Sequence, residues 1–205
     1  MAFNVEIFVS FFLTIVVIMD PIGNLPLFLA LTVGKTDKER NAVAWQAAAT
    51  SLIILTAMAA FGRQLMATLH ISTSALQLSG GLLLLLVSLQ LLTGHEEDPG
   101  SSPSTSPNVA LVPLGVPLLA GPGAIVAVML WAQRAGNSSG GILAFIAALL
   151  LTHLIQITVF RFGNTLHRWL GEVGTIFLTR IGGMLLAAIS TQLMIDGVIQ
   201  VVKEL

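Results

Sequence analysis

The stretch MDPIGNLPLF, residues 19–28, lies inside an apolar run that extends from Val5 to Leu31. It puts an acid, two prolines, a glycine and an asparagine where an unbroken helix in lipid would carry none of them. Proline lacks the N–H that a helix needs, and its ring clashes with the preceding turn. Gly23 accepts backbone angles that other residues resist. The run is therefore expected to break across Asp20-Pro21-Ile22-Gly23-Asn24-Leu25-Pro26, with Pro21, Gly23 and Pro26 as the breaking residues. A break at that depth exposes carbonyl and N–H groups that lipid cannot satisfy, so protein, water or a ligand must do so. Asp20 falls just beyond the middle of the run, where a bare carboxylate costs at least ~2.5 kcal/mol. An acid kept there is a candidate binding residue, with Asn24 beside it.

The rest of the chain has the same character. Of 205 residues, 55% are hydrophobic and 9% charged, and the mean hydropathy is +0.92. Soluble domains carry about a quarter charged residues, so this chain could not cover a water-facing surface. Its apolar blocks instead reach the roughly 20 residues that cross a bilayer. Six spans are expected, near 5–31, 42–60, 73–93, 109–133, 141–160 and 180–202. With a formal net charge of -1 and no basic stripe interleaved with aromatics, the composition argues against a nucleic-acid partner. The absence of cysteine excludes disulfides and thiolate chemistry. Glu6 and the lack of a basic residue before the first apolar run argue for a retained span over a cleaved signal peptide.

Lysine and arginine set the expected orientation. With the N-terminus outside, Lys35, Lys38, Arg40, Arg161, Arg168 and Arg180 fall on the cytoplasmic side, against Arg63, Arg134 and Lys203 outside. That asymmetry favours both termini outside.

The two halves echo one another. Phe61-Gly62 recurs as Phe162-Gly163 and Pro21 as Pro122, each 101 residues on. Gly80-Gly81 recurs as Gly182-Gly183 at 102, followed by Ser88/Ser190 and Gln90/Gln192 at the same offset. A unit of three spans leaves its copy entering from the opposite face, so the expected plan is an all-α, six-helix 3+3 inverted repeat. The first and fourth helices are the broken ones. Residues 1–95 form the first repeat, 96–108 an acidic and then Ser/Pro-rich linker, and 109–205 the second repeat.

The second break runs through Pro113 and Pro117 to Ala120-Gly121-Pro122-Gly123-Ala124, with no acid. A helix starting after Gly123 would aim free N–H groups inward, which suits an anion. Two breaks facing one another would make a polar chamber, Asp20 and Asn24 on one side and the backbone of Gly121, Pro122, Gly123 and Ala124 on the other. Gln77, His153 and Gln192 are candidates for further polar lining, although each could as simply bond between helices. Asp196 falls near the outer end of the last span, where an interfacial place costs it little. His153 and Gln156 share a face without a second ligand at metal spacing. No Ser-His-Asp order, paired carboxylates at depth, phosphate loop or ATP-binding domain suggests an enzyme.

The stretches Met19–Pro26 and Val116–Ala124, the Ser79-Gly80-Gly81 run and the ending Thr191–Gly197 resemble the MarC (UPF0056) family of bacterial membrane proteins over essentially the whole chain. The resemblance implies an inner-membrane protein of six spans, within a wider superfamily of LysE-like exporters. It also implies, from some archaeal relatives, transport of small neutral amino acids. Where many relatives carry an arginine shortly before the Gly-Gly pair, this chain has Gln77. The expected activity is secondary transport of a small polar solute with no resident cofactor, driven by H+ or Na+. A non-transporting scaffold or regulator, or a channel, stays open as the alternative, as do a protein partner and self-association.

Overall fold

The computed structural model describes residues 3–93 and 119–204. The expected linker 96–108, Pro113, Pro117 and the side chain of Pro122 lie outside the described residues. Helix α1 (Val5–Met19) starts from Asn4, whose side-chain oxygen accepts the Ile7 N–H at 3.0 Å. It stops at Asp20, which adopts the left-handed region at φ 36°. Helix α2 (Leu25–Leu31) resumes with Pro26 in its first turn, where a missing N–H leaves no bond unmade. One apolar run thus becomes two helices.

Helix α3 (Asp37–Thr68) has 32 residues, about 48 Å at 1.5 Å per residue. That exceeds a bilayer core of roughly 30 Å, so polar turns extend the helix beyond the apolar segment 42–60. Its start is a reciprocal cap. The Thr36 N–H and hydroxyl donate to Glu39 Oε2 at 2.8 and 2.7 Å, and the Glu39 N–H returns a bond to the Thr36 hydroxyl. Those bonds, the backbone one first, hold the Glu39 carboxyl below its ordinary 4.5. The carboxylate's support of α3 is therefore present at neutral pH and lost as the pH falls through the lowered value. Thr36→Ala should cost about 1 kcal/mol and flatten the acid limb of a melting-temperature profile.

Leu69 and His70 end α3 in a left-handed turn, His70 at φ 55°, with the Ile71 N–H donating to the Met66 carbonyl at 2.9 Å. Ser72 then starts α4 (Thr73–Thr93) by accepting the Ala75 N–H at 3.1 Å. The second half contributes α5 (Pro122–Ala135), α6 (Ser139–Arg161) and α7 (Gly163–Glu204), the last bent where Gly171 takes φ 66°. Asp37–Thr68, Thr73–Thr93, Ser139–Arg161 and Val173–Lys203 are each long and apolar enough to cross a membrane, while Val5–Met19 and Gly123–Ala135 are shorter apolar helices. Large apolar side chains such as Ile53, Phe61, Leu150 and Phe177 stand exposed on the outside, as lipid allows and water does not. The chain is an all-α polytopic membrane protein.

The described helices pack as two groups. In one, α1 lies on α6, and α3 packs on both α5 and α6. Its core holds Phe11 stacked on Phe145 with centroids 4.5 Å apart, and Phe28 on Phe160 at 4.1 Å. In the other, α4 and α7 run against one another. A Cβ on Gly81 would stand 2.8 Å from the Ser190 carbonyl oxygen, and one on Gly183 3.2 Å from that of Ser88. Without hydrophobic drive between helices in lipid, such small-residue approaches supply the packing. The groups meet where α4 touches α5 and where α1 and α2 touch α7.

Candidate functional site

The first break is built largely by its own residues. With Asp20 left-handed, its Oδ1 swings forward to accept the Gly23 N–H at 3.0 Å, while its carbonyl accepts the Asn24 N–H at 3.0 Å. The Asn24 amide nitrogen reaches back to the Met19 carbonyl at 2.7 Å, satisfying an oxygen that α1 leaves open. Any side chain at position 23 would strike the Asp20 carboxylate, which is why glycine stands there. Asp20 and Asn24 thus hold the break in shape, and Pro21 packs buried beneath it.

One oxygen is left over. Asp20 Oδ2 is buried and has no hydrogen-bond partner among the described residues. Lipid and protein interiors tolerate such an acceptor poorly, so the break retains unused binding capacity. Its surroundings come from α7. The Thr179 hydroxyl oxygen would lie 3.1 Å from a Cβ on Gly23, and Asp20 Oδ1 lies 4.0 Å from the place a Gly182 side chain would take. Thr179 was not expected at the site. Its signal was its position three residues ahead of the Gly182-Gly183 pair, one turn along the same helix face.

The second break sits deeper in apolar packing. Gly121 takes an extended conformation ahead of α5 and accepts the Ile125 N–H at 3.0 Å. Leu119, Ala120 and Ala124 are buried in the same cluster as Ile15, Met19, Leu25 and Phe28. Gly123 faces Leu84 of α4, with Ile18 of α1 3.9 Å from the place its side chain would occupy. The two breaks are therefore neighbours through Ile18, with apolar side chains between Gly123 and the end of α1.

The remaining candidates fall in two places. His153 turns to α3: its Nδ1 lies 2.8 Å from the Leu149 carbonyl and its Nε2 3.3 Å from the Ser51 hydroxyl. A carbonyl only accepts, so Nδ1 carries the proton of that bond, and Nε2 shares the other bond with the Ser51 hydroxyl. Gln156, one turn on, is fully buried with both amide atoms unpartnered among the described residues. Gln77 and Gln192 face elsewhere. Gln192 donates to Asp196 Oδ1 at 2.8 Å, and both glutamines line hollows shared with Arg134 and Asp196. Among the described residues no group of three or more His, Asp or Glu is placed to hold a metal ion.

Comparison with known proteins agrees with this architecture. The family described as MarC family integral membrane protein matches residues 5–202. A UPF0056 membrane protein of Methanocaldococcus jannaschii is 34% identical over 200 residues, covering 95% of this chain and 97% of the relative. One of Aquifex aeolicus is 32% identical over 204 residues, covering 97% and 95%. A UPF0056 inner membrane protein of Escherichia coli strain K12, YhgN, is 28% identical over 184 residues, covering 90% and 92%. No solved structure matches.

Proposed function

The chain belongs to the MarC family of integral membrane proteins, and from that premise we propose that it is a secondary transporter of a small polar solute, a small neutral amino acid such as glycine, alanine or serine. The observation that carries the reading is Asp20 Oδ2, a buried acceptor without a partner at a helix break. Purely structural capping uses one carboxylate oxygen, and Oδ1 already makes that bond. The second oxygen is free for a coupling H+ or Na+, or for the solute's ammonium group. Asn24 and the backbone from Gly121 to Ala124 complete the binding region in this reading, with Thr179 opposite.

Alternating access follows from a 3+3 inverted repeat of six spans, residues 1–95 and 109–205 joined by the linker 96–108. Both termini would then lie on the periplasmic side of the inner membrane. Helix pairing supports the repeat. At the 101-residue offset α5 is the counterpart of the first break and α2, so a twofold axis that exchanges the halves would exchange the α3–α5 contact with the α2–α6 contact, and both are present. It would map α4–α7 onto itself, and Gly81 approaches Ser190 as Gly183 approaches Ser88. Gly62 likewise presses on Met129 of α5, and its counterpart Gly163 on Leu25 and Leu29 of α2.

Counterflow in proteoliposomes tests the proposal. Vesicles preloaded with unlabelled glycine, alanine or serine should transiently accumulate the matching labelled amino acid. Flat traces for all three from folded, inserted protein would remove the neutral amino acid assignment.

A further inference from the structure

Away from the helix break, two adjoining hollows share one pair of charges. The inner, of about 200 Å³, runs from Thr14 of α1 past Trp131 and Arg134 of α5 to Gln192 and Asp196 of α7. The outer, of about 340 Å³, adds Gln77 of α4 and Lys203. An Arg134 guanidinium nitrogen lies 3.9 Å from Asp196 Oδ2, and the guanidinium sits 5.1 Å over the Trp131 ring. Arg134 belongs to the helix group around α1 and α6, and Asp196 to the α4–α7 pair, so the ion pair bridges the seam between them.

The pair is badly suited to a structural role. At 3.9 Å, with the two side chains 50% and 36% exposed, it is at the limit of an ion-pair contact, and such pairs add little to folding. Its chemistry suits a ligand better. A guanidinium fork matches a carboxylate in bidentate fashion, while Asp196 and the Trp131 face both attract an ammonium group. Gln77 supplies a second, independent pointer. It is 94% buried on a 6% exposure, lines the outer hollow, and its Oε1 has no partner among the described residues. The inner hollow is smaller than the roughly 300–1,000 Å³ of drug-sized sites, and Ala127, Leu130 and Leu193 give it an apolar wall.

We infer that Arg134 and Asp196 form an entry subsite in the seam, which receives a small solute carrying both a carboxylate and an ammonium group. The solute inserts between the two charges, so the bridge opens as binding begins. Thr14, at the inner end, lies six residues from Asp20, about 9 Å along α1, which places the subsite on the way to the break. The inference deepens the transporter reading and rests on it for the solute's destination, although not for binding itself.

Trp131 provides the readout. Trp45 and Trp169 are exposed at 56% and 87%, so Trp45→Phe with Trp169→Phe leaves a protein in which fluorescence reports the subsite alone. In nanodiscs this protein would be titrated with L-alanine, with propionate and with ethylamine. A saturable change with alanine, and responses to the two single-charge probes weaker by about tenfold or more, are expected. Arg134→Gln and Asp196→Asn should each weaken alanine by a similar factor. A flat alanine trace, or propionate acting as well as alanine, overturns the subsite even where counterflow is robust. Binding of alanine without any flux keeps the subsite and removes the transporter reading. The comparison of the three probes needs no variant in the subsite, so a misfolded mutant cannot decide the matter.

Discussion

Asp20→Asn is expected to reduce counterflow to the level of protein-free vesicles while the protein still folds and inserts. Asparagine keeps a side-chain oxygen for the Gly23 N–H, now accepted by Asp20 Oδ1 at 3.0 Å, so the break retains its cap. What the substitution removes is the carboxylate's charge, shared by its two oxygens, and one acceptor, the unpartnered Oδ2. A lone carboxylate at depth costs at least ~2.5 kcal/mol, and a buried amide donor without a partner costs about 1–3 kcal/mol. These offset one another, so the melting temperature in detergent should hold or rise slightly. Flux lost with stability kept assigns the charge to transport. Unchanged flux would reduce Asp20 to a helix cap, and a protein that no longer assembles would favour the scaffold alternative.

A second large effect is expected in the α4–α7 seam. At Gly81 even a methyl group would stand 2.8 Å from the Ser190 carbonyl and 2.5 Å from a Met194 side-chain carbon. The carbonyl cannot yield without parting the helices, so Gly81→Ala should destabilise by about 1–3 kcal/mol. Gly81→Leu should prevent native assembly. Gly183→Ala should cost less, because its nearest contacts are the Leu91 and Leu92 side chains at 3.1 and 3.2 Å, with the Ser88 carbonyl also at 3.2 Å. Gly174 is the control. Its nearest neighbour is Leu170 Cβ at 3.5 Å, an ordinary contact, and alanine there should be neutral or stabilise by roughly 0.5–1 kcal/mol through helix propensity. Thermal melts of the purified variants would test the order. Equal behaviour of Gly81→Ala and Gly174→Ala would mean that the helices do not approach closely at Gly81.

Much of this was present in local sequence. The limits of α4 coincide with the apolar segment 73–93, and the first break falls where Asp20, Pro21 and Gly23 require it. Helix ends were harder. α3 extends to Asp37 and Thr68, and α7 to Gly163 and Glu204, because hydropathy marks only the turns immersed in lipid. The backbone continues for as long as caps such as Thr36 and Glu39 support it.

The sequence by itself determined the membrane class, the residues of the first helix break and the small residues at which α4 and α7 approach. Each depends on chemistry within a few residues of chain: bulk apolarity, a missing N–H, a missing side chain. Tertiary structure alone decided which groups share a space. Arg134, in the last turn of α5, and Asp196, well inside α7, became a bridge across two helix groups. Thr179 came to face Asp20, and His153 turned to Ser51. The physical reason lies in the solvent. A helix apolar on all sides carries no amphipathic stripe to say which face turns inward, so in lipid the rotation of each helix is set by close packing with its neighbours.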